Sequence, residues 1–327
     1  MKRRISVLAA LLVSTICQLA FSENPAVFEE TASSKMKIDL CGAQHYRWIS
    51  PEHGRVVVAK DCVPAEGDCD HDVLAVFDQE GGPLFEGAPF IDVPGMTDGR
   101  IFAAALTTPD MLVVSTTVGH TDYEPVLAEY KISSGDLVRV IKTGSVLCWD
   151  LFGDDEGTIW CLGGDGRKAR AHEGFDLVHR FDESGDLLGS SLPRSTFDSE
   201  KPWKGLHSGF IHGYHQVRLW LSAANEIISF GPDGAVEERL VLPSPENMVR
   251  SRMAGLSNGE VLALLTVGDD RDDADTWSQA LYRLSPDGSA WLPLADLPMQ
   301  FMLVGSDDEN LILLDRESLD LVWYPVK

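Results

Sequence analysis

Five tight turns recur along this chain at nearly equal intervals, and they constrain its fold more than any other feature. Each turn ends in a glycine, and these glycines lie 54, 50, 49 and 54 residues apart. The turn segments are 77–81, 130–135, 181–185, 230–234 and 284–288. An apolar run enters and leaves each turn, as in a hairpin whose glycine takes the left-handed conformation. A period of about fifty residues is typical of the blades of a β-propeller.

The segments between these turns read as short strands that are rich in apolar and β-branched residues. A second series of turns, ending in Gly54, Gly157 and Gly259, interleaves with the first at steps of about two repeats. No segment after residue 22 sustains the period of an amphipathic helix. The sequence therefore predicts an all-β fold, a six-bladed β-propeller with four-stranded antiparallel blades.

The predicted blades account for residues 35–327 as a single domain. They span residues 45–87, 90–143, 144–193, 205–243 and 247–295, and the sixth starts near residue 299. This last blade lacks one strand, because its third strand, 319–326, lies at the end of the sequence. We expect residues 35–40 to supply the fourth strand, so that an N-terminal strand closes the ring and covers the open sheet edge.

The lengths of the connections differ between the two faces of the predicted propeller. Turns within the two strand pairs of each blade are mostly short and lie on one face. Connections on the opposite face are longer, at 61–72, 119–124, 163–174, 193–208 and 268–278. Insertions concentrated on one face of a repeat protein usually mark its binding face. We therefore expect a ligand to bind on the long-loop face, over the central channel.

The first residues are typical of an export signal. Three basic residues at 2–4 precede an apolar stretch over 5–20, and small residues lead up to a cleavage site after Ser22. A membrane anchor is the alternative, but the apolar stretch is short for a spanning helix. We predict a signal peptide over 1–22, a leader segment over 23–34, and a secreted or periplasmic protein without stable membrane insertion.

The charge of the chain limits its partners. The formal net charge is −24, and removal of residues 1–22, which hold three basic and no acidic residues, brings it to −27. Such a charge repels nucleic acid and anionic membrane surfaces, and the basic residues are scattered. We expect a monomer that binds no nucleic acid, with an unidentified small molecule, glycan or protein as its partner.

The cysteines fit an oxidising compartment. Five remain after cleavage: Cys41, Cys62, Cys69, Cys148 and Cys161. A disulfide between Cys62 and Cys69 would close a surface loop. Cys148 and Cys161 lie equally far from the centre of a predicted hairpin turn, so we expect them to face each other across the strand pair and to form a second disulfide. Cys41 is then left over, and the lack of a Cys-x-x-Cys motif argues against redox catalysis and zinc ribbons.

Two segments, 155–160 (Asp-Glu-Gly-Thr-Ile-Trp) and 181–188 (Phe-Asp-Glu-Ser-Gly-Asp-Leu-Leu), carry a resemblance to known proteins. With the repeated turns, they make residues 35–327 similar to secreted six-bladed propellers of the NHL and lactonase-like superfamily. That superfamily includes calcium-dependent lactonases and phosphotriesterases, lyases and binding modules. Its lactonase-like members hold calcium in the central channel with acidic and asparagine side chains. This chain departs from that pattern, because Asp150 is the only carboxylate at the predicted starts of its inner strands.

The candidate ligand-binding residues are those expected near the channel on the long-loop face. They are Asp150, His212, His215, Arg252 and Trp277. The two histidines suit zinc or copper, but residues three apart on a regular strand point to opposite faces, so we predict no metal site there. The segment 68–72 has acids at alternate positions, as in a calcium loop, but it lacks the later glycine and glutamate of such loops. We interpret it as a solvated acidic loop. Trp149 is expected in the core.

The sequence favours a binding or scaffold module of unknown ligand. The alternative is a metal-dependent hydrolase or lyase, similar to the lactonases, with its site in the central channel. No nucleophile elbow or phosphate-binding loop is present, so no catalytic residue is assigned. We predict no cofactor and leave calcium as the open alternative.

Overall fold

The computed structural model of this chain confirms the β-propeller. It describes residues 26–27, 34–37, 46–60, 72–87, 89–96, 100–119, 123–165, 174–197, 209–211, 216–222, 224–245, 247–269, 273–307, 310–318 and 320–326. The strands described in these ranges form six sheets, each built mainly from strands that follow one another along the chain. Within this part of the chain, no helix is long and apolar enough to cross a membrane.

The strands are numbered in chain order. Two short N-terminal strands are β1 (Ala26–Val27) and β2 (Ser34–Lys37). Blade one contains β3 (Tyr46–Glu52), β4 (Arg55–Lys60), β5 (Val73–Phe77) and β6 (Pro83–Gly87). Blade two contains β7 (Ala103–Thr108), β8 (Met111–Val118), β9 (Glu124–Lys131) and β10 (Asp136–Lys142). Blade three contains β11 (Val146–Gly153), β12 (Ile159–Asp165), β13 (Asp176–Phe181) and β14 (Leu187–Pro193).

The remaining blades repeat this order. Blade four contains β15 (Gly209–Phe210), β16 (Arg218–Leu221), β17 (Glu226–Phe230) and β18 (Val236–Val241). Blade five contains β19 (Met248–Gly255), β20 (Val261–Gly268), β21 (Trp277–Leu284) and β22 (Trp291–Leu297). Blade six contains β23 (Phe301–Ser306), β24 (Asn310–Asp315) and β25 (Asp320–Pro325). A four-residue helix, α1 (Pro89–Asp92), precedes blade two, whose first strand starts at Ala103 rather than at the predicted residue 90.

The hairpin turns adopt the predicted backbone conformation. The five glycines of the first series have φ between 71° and 89°, and Gly54, Gly157 and Gly259 of the second series have φ of 68°, 82° and 93°. Several turns are also fixed by an aspartate at their first position. The Oδ1 atom of Asp182 accepts hydrogen bonds from the backbone N–H groups of Ser184 and Asp186. An aspartate that caps its own turn in this way favours the hairpin before distant contacts form.

The ring closes as the sequence predicts, and the N-terminal segment makes a second contact that the sequence does not indicate. Strand β2 pairs antiparallel with β25 and completes blade six as its outer strand. Strand β1 pairs parallel with β22 and adds a fifth strand to blade five. The N-terminal segment therefore joins two neighbouring blades at their outer edges.

The hydrophobic core lies between neighbouring blades. On β4, Val57 and Ala59 pack with residues of blade two, whereas Val56 and Val58 pack with residues of blade six. A strand that is buried on both faces reads as a continuous apolar run, because both of its alternating sets of side chains face a core. The same division separates the cores between each further pair of blades.

The closure predicts how the fold responds to N-terminal truncation. A chain that begins at residue 40 lacks both β1 and β2 and exposes the edge of β25, whereas a chain that begins at residue 30 lacks only β1. We expect the first truncation to lower the free energy of unfolding by roughly 3–5 kcal/mol and the second by about 1 kcal/mol, since backbone pairing contributes about 1 kcal/mol per hydrogen bond. Urea unfolding measures both. Equal losses would contradict the assignment of β2 as the closing strand.

Candidate functional site

The first strands of the blades surround the central channel. Strand β11 packs between β7 and β15, and β23 packs between β19 and β3. The side chains described on these inner strands are mainly apolar, and Asp150 is the only carboxylate among them. The structure therefore places this sequence-predicted candidate on the channel wall of blade three.

A β-bulge on β11 decides which way Asp150 points. Cys148 pairs with Gly163, but Asp150 pairs with Leu162, so Trp149 is the extra residue of the bulge. In a regular strand Cys148 and Asp150 would share a face. The bulge instead places Cys148 in the core between blades two and three. Asp150 takes the opposite face, together with Leu162, which belongs to the core between blades three and four.

The predicted disulfide between Cys148 and Cys161 forms, with the two Cα atoms 5.3 Å apart. The expected register was wrong, because Cys161 pairs with Leu151 and the two cysteines are diagonal neighbours. The reason is the bulge and a longer turn, in which the Asp154 N–H donates to the Thr158 carbonyl. Gly163 is required at the bulge, since a Cβ atom there would overlap the Leu147 carbonyl oxygen.

Asp150 is fixed by the inner strand of blade four. The Phe210 N–H donates a hydrogen bond of 2.6 Å to the Oδ2 atom of Asp150. This approach requires the glycine that precedes Phe210, because a Cβ atom on Gly209 would lie 2.5 Å from the same oxygen. The Leu151 N–H also donates to the Asp150 carboxylate. Backbone groups therefore hold the carboxylate in the wedge between blades three and four.

The environment of Asp150 is unusual for a carboxylate. The residue is half-buried, as a channel-lining position requires. Burial raises the pKa of Asp150 to about 7, and the hydrogen bonds from Phe210 and Leu151 oppose this rise only in part. Within the described part of the chain, no basic side chain forms an ion pair with Asp150. The carboxylate thus titrates near neutral pH.

The structure does not bring all the predicted candidates together. Arg252 and Trp277 lie on blade five, two blades away from Asp150. The Trp277 ring, which was expected to be open to a ligand, stacks with the Arg250 guanidinium at 4.9 Å and lies against Gly268. His212 and His215 lie outside the described residues.

Two further sequence predictions fall mainly outside the described residues. Cys41, Cys62 and Cys69 are not described, so their pairing stays a prediction. Of the acidic segment 68–72, Asp72 is described, and its Oδ2 atom accepts a hydrogen bond from the Ile101 N–H. This buried aspartate links blade one to the segment before blade two. Among the described residues, no group of three or more His, Cys, Asp and Glu side chains could hold a metal ion.

Sequence reasoning missed the surroundings of Asp150. Trp149, expected in the core, is half-buried and packs against the edge of the core between blades three and four, as does Phe175. The role of Gly209 could not be recognised from nearby residues, because it depends on the Asp150 side chain, 59 positions earlier in the chain. The Gly163–Gly164 pair on β12 was the one available signal of a close approach between strands.

Comparison with known proteins supports the fold. No protein-family model matches the chain, and no curated protein matches it. The chain is similar in structure to a member of the DUF4221 family from Bacteroides vulgatus, with a TM-score of 0.52, 10% identity, and coverage of 93% of this chain and 98% of that one. A protein of unknown function from Bacteroides thetaiotaomicron gives a TM-score of 0.51 at 11% identity, with coverage of 93% and 75%.

A streptogramin B lyase structure aligns with a TM-score of 0.47 at 10% identity, over 89% of this chain and 96% of that one, a similarity too low to carry an argument. At sequence identities of 10% and 11%, these two structural similarities show a shared fold and nothing about function. The predicted six-bladed β-propeller is confirmed as the fold of this chain.

The raised pKa of Asp150 predicts a pH-dependent stability. Because the folded-state pKa, about 7, exceeds the unfolded value, folding favours the protonated acid. The stability that protonated Asp150 contributes is fully present below the unfolded pKa and is lost as pH rises through about 7. We expect Asp150→Asn to leave stability unchanged near pH 4 and to raise it by roughly 2–4 kcal/mol near pH 8. Urea unfolding across this pH range measures the difference.

Asp315→Asn is a matched control with the opposite sign. Burial alone would raise the pKa of Asp315, but hydrogen bonds from the N–H groups of Glu317 and Ser318 hold it below its ordinary value. The ionised Asp315 carboxylate therefore stabilises the folded protein at neutral pH, and this stabilisation is lost as pH falls. A pH profile for Asp150→Asn that parallels the control would contradict the placement of Asp150.

The disulfide predicts a loss of stability on its removal. Cys148 and Cys161 are fully buried and 13 residues apart, so replacing both with alanine leaves the core apolar while releasing the loop. We expect the free energy of unfolding to fall by about 3 kcal/mol, as loop-closure entropy gives for a loop of this size. Urea unfolding of the oxidised protein and of the double variant tests this. Unchanged stability would show that strand pairing alone holds the bulge.

Proposed function

We propose that the protein is an exported binding module that takes its ligand on the long-loop face, over the central channel, with Asp150 as the main contact. The observation that carries this proposal is the placement of one carboxylate deep in the wedge between two blades, partly open to solvent and without an ion pair among the described residues. A carboxylate that serves only the fold would be expected to have a charged partner or full hydrogen bonding.

The architecture supports this assignment. Propellers bring the first strands of all their blades to one axis, so a side chain on β11 can meet a ligand that other blades also contact. The long predicted connections would surround such a ligand at the channel mouth. His212 and His215, which follow β15, are proposed as further contacts from blade four.

The partners follow from charge and from the N-terminal sequence. An exported chain with a net charge of −27 after cleavage would select a small molecule, glycan or protein and would avoid nucleic acid and anionic membranes. Arg252 and Trp277 on blade five are proposed as secondary contacts of a ligand large enough to reach across the channel.

One observation favours a second candidate function, a hydrolase or lyase. A carboxyl group with a pKa of about 7 is suited to general acid or base catalysis at neutral pH. A lactonase-like enzyme would also need a metal ion, with further ligands outside the described residues. The two candidates therefore differ in their metal requirement.

Metal analysis and thermal unfolding separate the two functions. For the binding module we expect no stoichiometric ion in the purified protein and no change of the melting temperature with calcium, zinc or a chelator. A stoichiometric ion whose removal lowers the melting temperature by several degrees would instead favour the enzyme and would direct assays to lactones and esters.

The role of Asp150 is tested by a thermal-shift screen of small molecules and glycans. We expect the compounds that stabilise the wild type to lose at least about tenfold in affinity toward Asp150→Asn, because a charged hydrogen-bond partner contributes roughly 1.5–3 kcal/mol. The Asp315→Asn variant should bind as the wild type does. Equal affinity for both variants would remove Asp150 from the site.

A further inference from the structure

Two aromatic rings converge over Gly164, on the strand that pairs with the strand of the candidate carboxylate. A Cβ atom on Gly164 would lie 2.7 Å from Cε2 of Phe175 and 3.3 Å from Cη2 of Trp149, so both rings lie against this glycine. Both side chains are half-buried and pack against the core between blades three and four. Gly164 is two residues from Leu162, the strand partner of Asp150. The absence of a side chain at Gly164 therefore allows two rings to meet close to Asp150.

The carboxylate and the rings belong to the same side of blade three. Leu162 and Gly164 share a face of β12, because residues two apart on a strand point the same way. Deeper in this wedge, Phe152 and Phe210 pack with their ring centroids 6.0 Å apart. In the described part of the chain, this wedge therefore has an apolar, aromatic wall with Asp150 as its carboxylate, whose Oδ2 atom is fixed by the Phe210 N–H.

The charges around Asp150 leave its negative charge without compensation from the described residues. Among the side chains described on β7, β11 and β15, Asp150 is the only titratable group apart from Cys148, which is disulfide-bonded. Two arginines lie on other strands of blades three and four: Arg180 on β13 stacks over the Trp160 ring and donates to the Pro232 carbonyl, and Arg218 on β16 donates to the Gly259 carbonyl. On the neighbouring β9, Glu129 forms an ion pair with Arg139. His212 and His215 follow β15 outside the described residues. An ionised Asp150 in this apolar wedge would be stabilised by a cation from outside the protein.

We propose that this wedge binds an organic cation, with its ammonium group placed between the Asp150 carboxylate and the rings of Trp149 and Phe175. Aromatic faces and a carboxylate are the groups that recognise alkylated ammonium ions, because such ions combine a positive charge with an apolar surface. A small inorganic cation would require several oxygen ligands instead. The proposal rests on the proposed function, since it names the ligand class of the same site. The strong negative charge of the protein favours the approach of cations over long distances.

The first test compares a cation with its neutral counterpart. Choline and n-butylammonium are titrated into the mature protein by calorimetry at pH 8, where Asp150 is ionised, beside 3,3-dimethyl-1-butanol, the neutral shape analogue of choline. We expect saturable binding of at least one cation and at least about tenfold weaker binding of the neutral analogue, in line with the 1–2 kcal/mol of a desolvated cation–aromatic contact. Equal binding of choline and its analogue, or no binding of either cation up to about 100 mM, would overturn the proposal.

Two variants locate the site. Asp150→Asn keeps the shape and one acceptor oxygen but removes the charge, and should weaken cation binding at least about tenfold. Trp149→Leu keeps an apolar side chain but removes the aromatic face, and should weaken it about threefold to tenfold while leaving the neutral analogue unaffected. Trp291→Leu, on the outer strand β22 of blade five, is the matched aromatic control and should bind as the wild type does. Loss of binding in Trp291→Leu, with wild-type binding in Trp149→Leu, would move the cation to blade five and overturn the placement.

Proton release gives a readout that loss of folding cannot imitate. A cation that binds ionised Asp150 displaces its proton, so calorimetry near pH 6.5 in buffers of different ionisation enthalpy should show protons released by the wild type and none by Asp150→Asn. If other ligands bind through Asp150 but no ammonium ion does, the cation proposal fails and the binding module stands. If ammonium ions bind equally to Asp150→Asn without proton release, the role of Asp150 in both proposals fails.

Discussion

Face-to-face packing of neighbouring sheets is the constraint on which the rest of this structure depends. Each blade buries both faces, and the cores between blades are separate, as the division of Val56 and Val57 between two of them shows. No blade can therefore be stable without both neighbours, and the ring must close. The pairing of β2 with β25 meets that requirement by joining strands that lie near opposite ends of the described chain. The same geometry gathers six strands around one axis and creates the only place where all blades can contact one ligand.

Glycines inside the strands, and not only those in the turns, allow neighbouring strands of this ring to lie close together. Gly163 permits the bulge on β11, and Gly209 lets the Asp150 carboxylate reach the backbone of blade four. Both positions have ordinary backbone angles, so what matters is the missing side chain. The bulge then sends Cys148 and Asp150 to opposite faces of one strand. A disulfide on one side and a channel-facing acid on the other thus depend on a single extra residue, Trp149.

Much of the fold could be predicted from the sequence, because residues within each turn determine that turn without distant contacts. A glycine such as Gly185 marks its turn through its own backbone, and Asp182 caps that turn through neighbouring N–H groups. The register of β11 could not be predicted, since an equal spacing of Cys148 and Cys161 from a turn assumes that no residue is inserted between them. The parallel pairing of β1 with β22 also had no local signal, because two residues on an outer edge carry no pattern. Asp150 was identified by type and position, whereas its raised pKa depends on how the distant Gly209 and Phe210 pack against it.

The net charge of the whole chain and the local environment of Asp150 both favour a cationic ligand. A protein with a net charge of −24 has many carboxylates, and those of the turns lie in water with backbone donors, as Asp182 does. Asp150 differs because burial works against its charge while two N–H groups hold its position. A group that is fixed in place but poorly solvated has the most to gain from an added counter-charge, since the cost of desolvation is already part of the folded state. That excess free energy makes Asp150, rather than the more numerous surface acids, the position where a cationic ligand would be bound most strongly.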